Sequence, residues 1–519
     1  MTEPYLRILD SRGGRIPLKA YISSSGDHEG AAGGRRMSTW GTSTSGPNTA
    51  IYGSLSSLRS RSRELIRNNP LIDGAADDYA ANIIGSGIAP RWLINDLAMK
   101  QAIQDLWNES IDEFDYDGIC DAYGQQTLMG DALIDAGEFL IKIIPRRSTD
   151  GLAVPIQYQL LEADHLDHTY NSFAPNGNEI RMGIEIDKVG KRVAYWLWPE
   201  HPGESFLSFR RISIRVRIPA FNAPDAMGGG IIHVFKPRRI GQMRGTPWLR
   251  SIIVKMHELD QYDDAELVRK KGAALLGSGY ITEPIGGQID PADYFGQRSD
   301  ADSQGRDVIA LEPGTYPILP RGMEPKFPNP PDVGNSYAPW KQDHYRQAAK
   351  GMGVTYEQFT GDLSNTSYSS IRAGLLEFRR RVKQIQFQTI VFQACRPMVH
   401  AWLDAAVLAG RLPISPVDYL ANIREFRHIE WRPDGFPWVD PVKDQVAEQM
   451  ARRNGFKSRA QIISETFGGD IDIVDREIIE ENDRADRDGL VYDTDSRKTA
   501  QSGSIQKAID GAVNPTAGG

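Results

Sequence analysis

One periodic run of residues constrains this chain more than any other segment. Six apolar side chains and one threonine recur in alternating steps of four and three residues, at Ile371, Leu375, Phe378, Val382, Ile385, Thr389 and Phe392. That spacing is the repeat of an α-helix and places all seven positions on one face. The sequence therefore predicts one long helix with a continuous apolar seam.

The composition is that of a globular protein. The chain has 519 residues, of which 40% are hydrophobic and 25% charged, and such a length predicts about two to four structural units. The formal net charge is −8. This acidic balance argues against a protein whose main function is to bind nucleic acid tightly, because tight binding to phosphates needs a cationic surface.

Cellular location is constrained by three further features. No apolar run approaches the roughly 18–20 residues of a membrane span, so the sequence predicts no spanning segment. The first residues lack the apolar region of a secretory signal. The chain has two cysteines, Cys120 and Cys395, which cannot form a four-cysteine zinc site and indicate a reducing compartment.

The pattern of residues changes twice along the chain. From about Leu55 to Leu133 it is mainly helical, with an interruption near Gly118 and with Pro70 opening one helix that stops at Gly85. Between Glu138 and His233, β-branched alternating runs separated by Gly, Pro and Asn predict a sheet region. Helical patterns then return, at Pro247–Lys271, Pro339–Met352, the seam described above, Pro441–Arg453, Ser458–Thr466 and Asp472–Asp483.

One dense group of residues could bind a metal ion: Glu162, Asp164, His165, Asp167 and His168. Carboxylates and imidazoles are common zinc ligands. The group follows a predicted strand, however, where a polar turn is expected, and the solvated turn is the favoured interpretation. The acidic run at residues 112–118 resembles a calcium loop only loosely, because the terminal bidentate Glu is missing, and a loop that ends a helix fits it better.

The sequence contains none of the short catalytic motifs that would identify an enzyme. Gly-x-Ser-x-Gly, His-Glu-x-x-His and the phosphate-binding Gly-x-x-x-x-Gly-Lys-Ser/Thr pattern do not occur. Chemistry alone therefore favours a structural protein without cofactors.

Two basic groups could contact phosphates or a second subunit. The favoured interpretation of each is a solvated or intersubunit helix face, and phosphate contact is the alternative, since it needs no base-specific code. The groups are Arg59, Arg61, Arg63 and Arg67, and Arg379, Arg380, Arg381 and Lys383.

A set of short motifs, each weak alone, occurs in one order along residues 50 to 485. They include Arg61-Ser-Arg63-Glu-Leu-Ile-Arg67-Asn68-Asn69-Pro70, Ile83-Ile84-Gly85-Ser-Gly87-Ile88, Gly137-Glu138, Ile232-His233-Val-Phe235, Gly241-Gln242-Met-Arg244-Gly245-Thr-Pro247-Trp248-Leu249, Leu259-Asp260-Gln-Tyr262, Gly353-Val-Thr-Tyr356-Glu357, Gly361-Asp362 with Tyr368-Ser369-Ser370, and Trp438-Val-Asp440-Pro441. Together they resemble the lambda-type portal proteins of tailed bacteriophages. The N-terminal arm and the extreme tail show no such match.

The resemblance implies an α+β portal fold with wing, stem, clip and crown parts. The segments it implies are a flexible arm at 1–50, the first part of the wing at 51–246, a stem helix at 247–271, a clip at 272–338, a second stem helix at 339–353, a channel loop at 354–370, the long helix with the return to the wing at 371–436, a crown at 437–487 and a disordered tail at 488–519.

The resemblance also implies a function and partners. We expect a homo-oligomeric ring of about twelve subunits at one capsid vertex of the virion, assembled in the host cytoplasm. Double-stranded DNA would pass through it during packaging and ejection. The terminase large subunit, which would supply the ATPase, and a head–tail adaptor would dock on it, and a major capsid or scaffold protein would surround it. Neither a membrane nor a cofactor is expected.

The implied channel loop is polar and almost uncharged. Its part at Gly361–Ser370 carries Asn365, Thr366, Ser367 and Ser369, with Asp362 as the only charge there. Because each cation bound to a phosphate adds affinity, a loop without cations suits a surface that touches DNA without holding it. Two other functions stay open at this point. One is a metal-dependent hydrolase or nuclease built on Glu162, Asp164, His165 and His168, and the other is a capsid or adaptor protein that is not a portal.

Overall fold

The computed structural model describes most of the chain. The described residues are 41, 43–206, 214–276, 281–282, 299–301, 307–309, 318–319, 337–364, 366–436, 441–467, 471–492, 495 and 497–498. Most of the predicted arm and clip, Asn365 and most of the predicted tail lie outside them, and the side chains of residues 272–276 are likewise outside the description.

Helices dominate residues 47 to 135, in agreement with the helical patterns that the sequence shows from about Leu55 to Leu133. Two of their starts have a clear cause: Pro70 follows Asn69, whose side chain accepts hydrogen bonds from the next two free amides, and Asp121 caps another helix in the same way. The helices are α1 (Pro47–Tyr52), α2 (Leu55–Asn68), α3 (Pro70–Ile84), α4 (Leu97–Ser110) and α5 (Ala122–Asp135).

The predicted sheet region is confirmed and contains two separate antiparallel sheets. The first has the order β3-β2-β9, and its outer strand β9 is buried along its whole length. The second has the order β4-β5-β6-β7-β8. The strands are β2 (Glu138–Pro145), β3 (Ile156–Glu162), β4 (Ser172–Phe173), β5 (Glu179–Arg181), β6 (Ile184–Ile186), β7 (Arg192–Leu197), β8 (Val216–Pro219) and β9 (Gly230–Phe235).

A further strand pair joins distant parts of the chain. β1 (Ala89–Trp92) pairs antiparallel with β14 (Ile429–Arg432). The indole of Trp92 lies 6.0 Å from that of Trp402, and that of Trp107 5.1 Å from it. Close aromatic pairs of this kind stabilise beyond their buried area. The core therefore unites the N-terminal helices with the segment that follows the long helix.

Two long helices run side by side after the sheets. A 3₁₀ turn at Trp248–Ser251 precedes α6 (Ile253–Leu276), so the helix predicted from Pro247 begins later than expected. Its neighbour is α7 (Tyr337–Met352). Trp340 packs on Tyr262 with ring centroids 5.0 Å apart, and Lys341 pairs with Asp263 at 2.7 Å.

The segment with the apolar seam is helical but not uniform. A short helix, α8 (Tyr356–Thr360), is followed by α9 (Tyr368–Ile385), a π-helical segment at Gln386–Cys395 and α10 (Arg396–Leu408) without a break. Val382 and Ile385 are fully buried, as predicted, yet Phe392 is 60% exposed.

The prediction of a continuous seam is thus wrong at its last position. A π-helix closes its hydrogen bonds to the fifth residue rather than the fourth, so each turn takes up more residues. The buried face accordingly moves to neighbouring positions, at Ile390, Val391, Ala394 and Cys395. A repeat counted at α-helical spacing cannot reveal this shift.

Short strand pairs mark the region between the two long helices. β10 (Ile281–Thr282) pairs parallel with β13 (Ile318–Leu319), and β11 (Ser299–Ala301) pairs antiparallel with β12 (Asp307–Ile309).

The remaining helices follow α10. The predicted helix at Pro441–Arg453 is confirmed with the same bounds, and the last predicted helix is longer than expected at its C-terminal end. Lys100 and Arg91 both pair with Asp472 and so tie the last helix to the N-terminal part of the fold. These helices are α11 (Pro416–Ala421), α12 (Ile423–Phe426), α13 (Pro441–Arg453), α14 (Arg459–Phe467) and α15 (Ile471–Asp488).

Within the described residues, none of the helices combines the length and apolar character that crossing a bilayer requires.

Candidate functional site

The polar loop between α8 and α9 is held by its own side chains. Gly361 ends α8 in the left-handed region at φ 69°, a conformation that glycine adopts without strain. Asp362 then accepts hydrogen bonds from the Ser364 hydroxyl at 2.6 Å and from the Ser364 amide at 3.0 Å. The Tyr356 hydroxyl donates to its other oxygen at 3.3 Å. The loop therefore has a fixed base beside α8.

The carboxylate of Asp362 is negatively charged at neutral pH. The hydrogen bond from the Ser364 hydroxyl, together with that from its amide, lowers the pKa of Asp362 below its usual value. The part of the loop that the structure describes (residues 361–364 and 366–367) therefore offers one negative charge and no positive charge.

Three other predicted loop residues, Thr366, Ser367 and Ser369, lie at or just before the start of α9. Ser367 is the N-cap of that helix and accepts a hydrogen bond from the Ser370 amide at 3.3 Å, so α9 begins earlier than the predicted Ile371. Ser369 is exposed, and Thr366 is half-buried with its hydroxyl 3.4 Å from Glu357. Capping explains why serine suits position 367.

Sequence reasoning named Ser364 and Leu363 only as parts of this loop. Ser364 positions the Asp362 carboxylate, and Leu363 is 63% exposed at the loop surface. The Asp-x-Ser spacing could have indicated Ser364, since Asp side chains often accept hydrogen bonds from the residue two positions on.

The basic row on α9 does not form one surface. Arg379 stacks over Phe436 at 5.0 Å, and burial lowers its pKa. Arg381 turns to another side, where its guanidinium covers Gly353. Arg380 and Lys383 are exposed and, three residues apart, lie on one face of the helix. Only these two of the four predicted cations share an open face.

The first basic group is divided in the same way. Arg59 is 1% exposed and pairs with Glu138, so its guanidinium does not reach a surface. Arg63 is partly buried and pairs with Asp164 at 2.7 Å and with Glu162 at 2.8 Å. Arg61 and Arg67 are exposed. Arg59 and Arg63 thus hold elements of the fold together.

Glu138 is the centre of a buried charge network. Arg244 donates to its carboxylate at 2.8 Å, and the His233 ring lies 3.0 Å away. Burial alone would raise the pKa of Glu138, but Arg244, Arg59 and His233 together lower it well below its usual value. The carboxylate is therefore ionised and balances two buried guanidinium groups.

His233 in this network is neutral. Burial lowers its pKa to about 4, although the hydrogen bond to Glu138 acts in the opposite direction. Its Nε2–H then donates to Glu138, and its Nδ1 accepts from Arg192 at 3.4 Å. Both ring nitrogens have partners within the fold.

The residues of the alternative metal site do not all come together. Glu162 and Asp164 lie beside His201, with ligand atoms within 4.8 Å of one another. His165 instead packs edge-on against His201, and His168 packs against Tyr52.

The two carboxylates of that group also have a cation already. Arg63 pairs with both of them, so a metal ion would have to displace a guanidinium. The residues present fit an ion-pair network better than a metal centre. His201 was missed by sequence reasoning because it lies far from the cluster along the chain.

The acidic run at residues 112–118 ends a helix, as the favoured interpretation expects. Asp115 accepts hydrogen bonds from the amides of Ile119 at 2.9 Å and Cys120 at 3.1 Å and from the Gln125 side chain at 2.7 Å. These bonds occupy the carboxylate and lower the pKa of Asp115 despite its partial burial.

A comparison with protein families gives one match over well over half of the chain. Residues 33–386 match the family described as phage portal protein, lambda family.

Three curated proteins are similar along most of their length. The chain is 29% identical to the probable portal protein of Halomonas phage phiHAP-1, over 85% of this chain and 82% of that protein. It is 25% identical to the portal protein of Escherichia phage N15, over 83% and 84%. It is 23% identical to portal protein B of Escherichia phage lambda, over 86% of each.

Among solved structures, the chain is similar to one described as the neck of a native GTA particle computed with C12 symmetry. The TM-score is 0.38 at 15% identity, and the match covers 79% of this chain and 92% of that one.

Proposed function

Because the chain belongs to the lambda family of phage portal proteins, we propose that it forms a closed ring of about twelve identical subunits around a channel for double-stranded DNA. The match of residues 33–386 to the family carries this proposal. Portal proteins of this family are structural and non-enzymatic, and the hydrolase alternative is therefore dropped.

The loop between α8 and α9 is the proposed channel surface. The hydrogen bonds of Asp362 fix the start of this loop. The exposed residues Ser367 and Ser369 carry hydroxyl groups instead of charges. Hydroxyls form hydrogen bonds with phosphates but release no counterions, so they hold a duplex more weakly than lysines. Asp362, which is ionised, adds repulsion. Such a surface lets a duplex slide.

The proposed parts of the subunit follow the family resemblance. Residues 51–246 would be the first part of the wing, and α6 and α7 the stem. The region between those helices would be the clip, α9 with residues up to 436 the return to the wing, and α13 to α15 the crown. The side-by-side packing of Trp340 on Tyr262 supports a two-helix stem.

The proposed partners follow from the same reasoning. The terminase large subunit would dock on the clip during packaging and supply the ATPase, and a head–tail adaptor would replace it afterwards. A major capsid or scaffold protein would hold the ring at its vertex. Strand edges in the clip could accept neighbouring strands, since unpaired backbone groups favour such pairing.

Electron microscopy of the purified full chain tests the proposal. We expect particles with a central hole and, by native mass spectrometry, one closed oligomer of the single chain. A species that stays monomeric or dimeric at every concentration and salt level would overturn the proposal. If rings form but do not sit at a unique vertex in assembled particles, the capsid or adaptor alternative is correct.

A further inference from the structure

Four cations from three parts of the chain lie near one another, one of them over the ring of Trp248. The Lys236 ammonium lies 5.9 Å from the centre of the Trp248 ring, and Arg250 donates to the carbonyl of Pro247 at 3.2 Å. Arg381 comes from α9 and occupies the space where a side chain at Gly353 would lie. Arg238, next to Lys236, is exposed. We call Lys236, Arg238, Arg250 and Arg381 the basic cluster.

The basic cluster has no anionic partner in the part of the chain that the structure describes. None of its four residues takes part in an ion pair there. Burial, together with the nearby charges of Arg238, Arg381 and Arg250, lowers the pKa of Lys236 to about 8. Like charges gathered without a counter-charge raise the free energy of the isolated subunit. An anion from outside the subunit would remove that cost.

A second group has the opposite charge and the same lack of partners. Asp77 on α3 and Asp131 on α5 form no ion pair with any described residue. Partial burial raises the pKa of Asp131, and the nearby charge of Asp77 raises it further. We call these two residues the acidic pair.

Helix α3 separates the basic cluster from the acidic pair. Its residue Tyr79 packs on Trp248 at 5.5 Å, which places that side of the helix against the basic cluster. Its residue Ala80 faces α5, because a Cβ at Gly130 would lie 3.5 Å from the Ala80 Cβ. Asp77 lies about 200° around the helix from Tyr79 and about 60° from Ala80. Asp77 is therefore on the side of α3 away from Tyr79 and Trp248, and Asp131 on α5 lies close enough to Asp77 to feel its charge.

A head-to-tail ring requires two different, complementary surfaces on each subunit, because each copy must present both halves of one interface. We propose that the basic cluster of one subunit binds the acidic pair of the next copy of this chain. This inference rests on the proposed ring. Carboxylates of a second copy suit the cluster better than DNA phosphates, since four unpaired cations in the channel would hold the duplex that must slide.

Charge reversal in the full chain tests the proposal. Arg238→Glu and Asp77→Arg change exposed side chains, and thermal unfolding of each checks that the subunit folds. We expect each variant to need at least about a tenfold higher concentration to form rings, because opposed like charges replace attractive ones. Arg239→Glu and Asp78→Arg are the matched controls, with the same change of charge at the neighbouring position. Native mass spectrometry measures the ring.

Mixing the two variants makes the test specific. In an equimolar mixture every contact between unlike copies is complementary again, and every contact between like copies is repulsive. We therefore expect mixed rings with an even number of subunits, in which the two variants alternate. A purely structural defect would not be rescued by mixing.

The contrary outcomes are distinct. Rings at wild-type concentration from both single variants, or no recovery on mixing, would overturn the inference and leave the proposed ring intact. Intact rings that lose DNA packaging would also overturn it and assign the cluster to phosphates. A wild-type chain that never forms rings would overturn the inference together with the proposed function.

Discussion

Arg59 and Glu138 form an ion pair in the interior of the fold, with 1% of each side chain exposed. Arg59 comes from α2, Glu138 opens β2, and Arg244 and His233 bind the same carboxylate from later parts of the chain. The pair therefore fixes four segments relative to one another.

Removing one partner of this pair should destabilise the subunit strongly. Arg59→Ala leaves the Glu138 carboxylate with less compensation in the interior, and we expect a loss of about 3–5 kcal/mol in the free energy of unfolding. Denaturant unfolding measures it. The matched control is Arg61→Ala on the exposed side of α2, with an expected change below about 0.5 kcal/mol. If both variants lost the same free energy of unfolding, Arg59 would have no special role in the buried charge network.

Proline should break α9 at one position and be tolerated at another. Leu375→Pro lies inside the helix, where it removes a hydrogen bond and clashes with the preceding turn, at a cost of about 3 kcal/mol or more per subunit. Ser369→Pro lies in the first turn, where the amide has no helical partner, and should cost much less. Thermal unfolding compares the stability of the two variants. If Leu375→Pro forms rings like the wild type, the assignment of this segment to a helix is wrong.

Because of the π-helical segment, we expect truncations at two positions of the seam to differ strongly in their effect on stability. Ile385→Ala should cost about 2–5 kcal/mol, because its side chain is fully buried. Phe392→Ala should cost less than about 1 kcal/mol, although an uninterrupted seam would bury the ring and make its loss cost about 3–5 kcal/mol. Chemical denaturation of both variants distinguishes the two arrangements.

Acid should destabilise the fold through His233. Its pKa of about 4 in the folded chain lies below the ordinary value of about 6.5, so the unfolded chain binds the proton first. Stability is fully present above about pH 6.5 and falls as the pH drops toward about 4, by up to ~1.4 kcal/mol per pH unit. His233→Gln should flatten this dependence, measured by denaturant unfolding at several pH values. The exposed control His257→Gln should keep it.

Lysines in the proposed channel loop should slow DNA without preventing assembly. Asp362→Lys with Asn365→Lys adds cations to every subunit of the ring, and their salt-dependent binding to phosphates should impair packaging. Ring formation, followed by native mass spectrometry, should stay close to that of the wild type. Glu425→Lys, an exposed change on α12, is the control for added positive charge. If the loop variant packages DNA as well as the wild type does, the assignment of this loop to the channel is wrong.

Local sequence patterns predicted the helices and strands better than they predicted the contacts between residues that are far apart in the chain. Pro70, which opens α3, and the β-branched runs of β2 and β9 lie within the elements that they produce. The burial of Arg59 depends on Glu138, far along the chain, and no local pattern of the basic residues around it distinguishes it from the exposed Arg61.

The same limit applies to the candidate sites. The polar character of the loop at Asp362 is visible in the sequence because its residues are neighbours. The basic cluster is not, because only tertiary packing brings Arg381 near Lys236 and Arg250. Phe378 of α9 packs on Tyr79, and Tyr79 packs on Trp248. His201 joined Glu162 and Asp164 for the same reason.

The unbroken helical course from Tyr368 to Leu408 makes the loop and the tryptophan-rich core two ends of one stiff rod. A force applied at Ser367 or Ser369 would be transmitted along this helical course, because no flexible linker interrupts it. A duplex pressing on the loop would therefore strain the body of the subunit directly, and the tight packing around Trp402 is what resists that force.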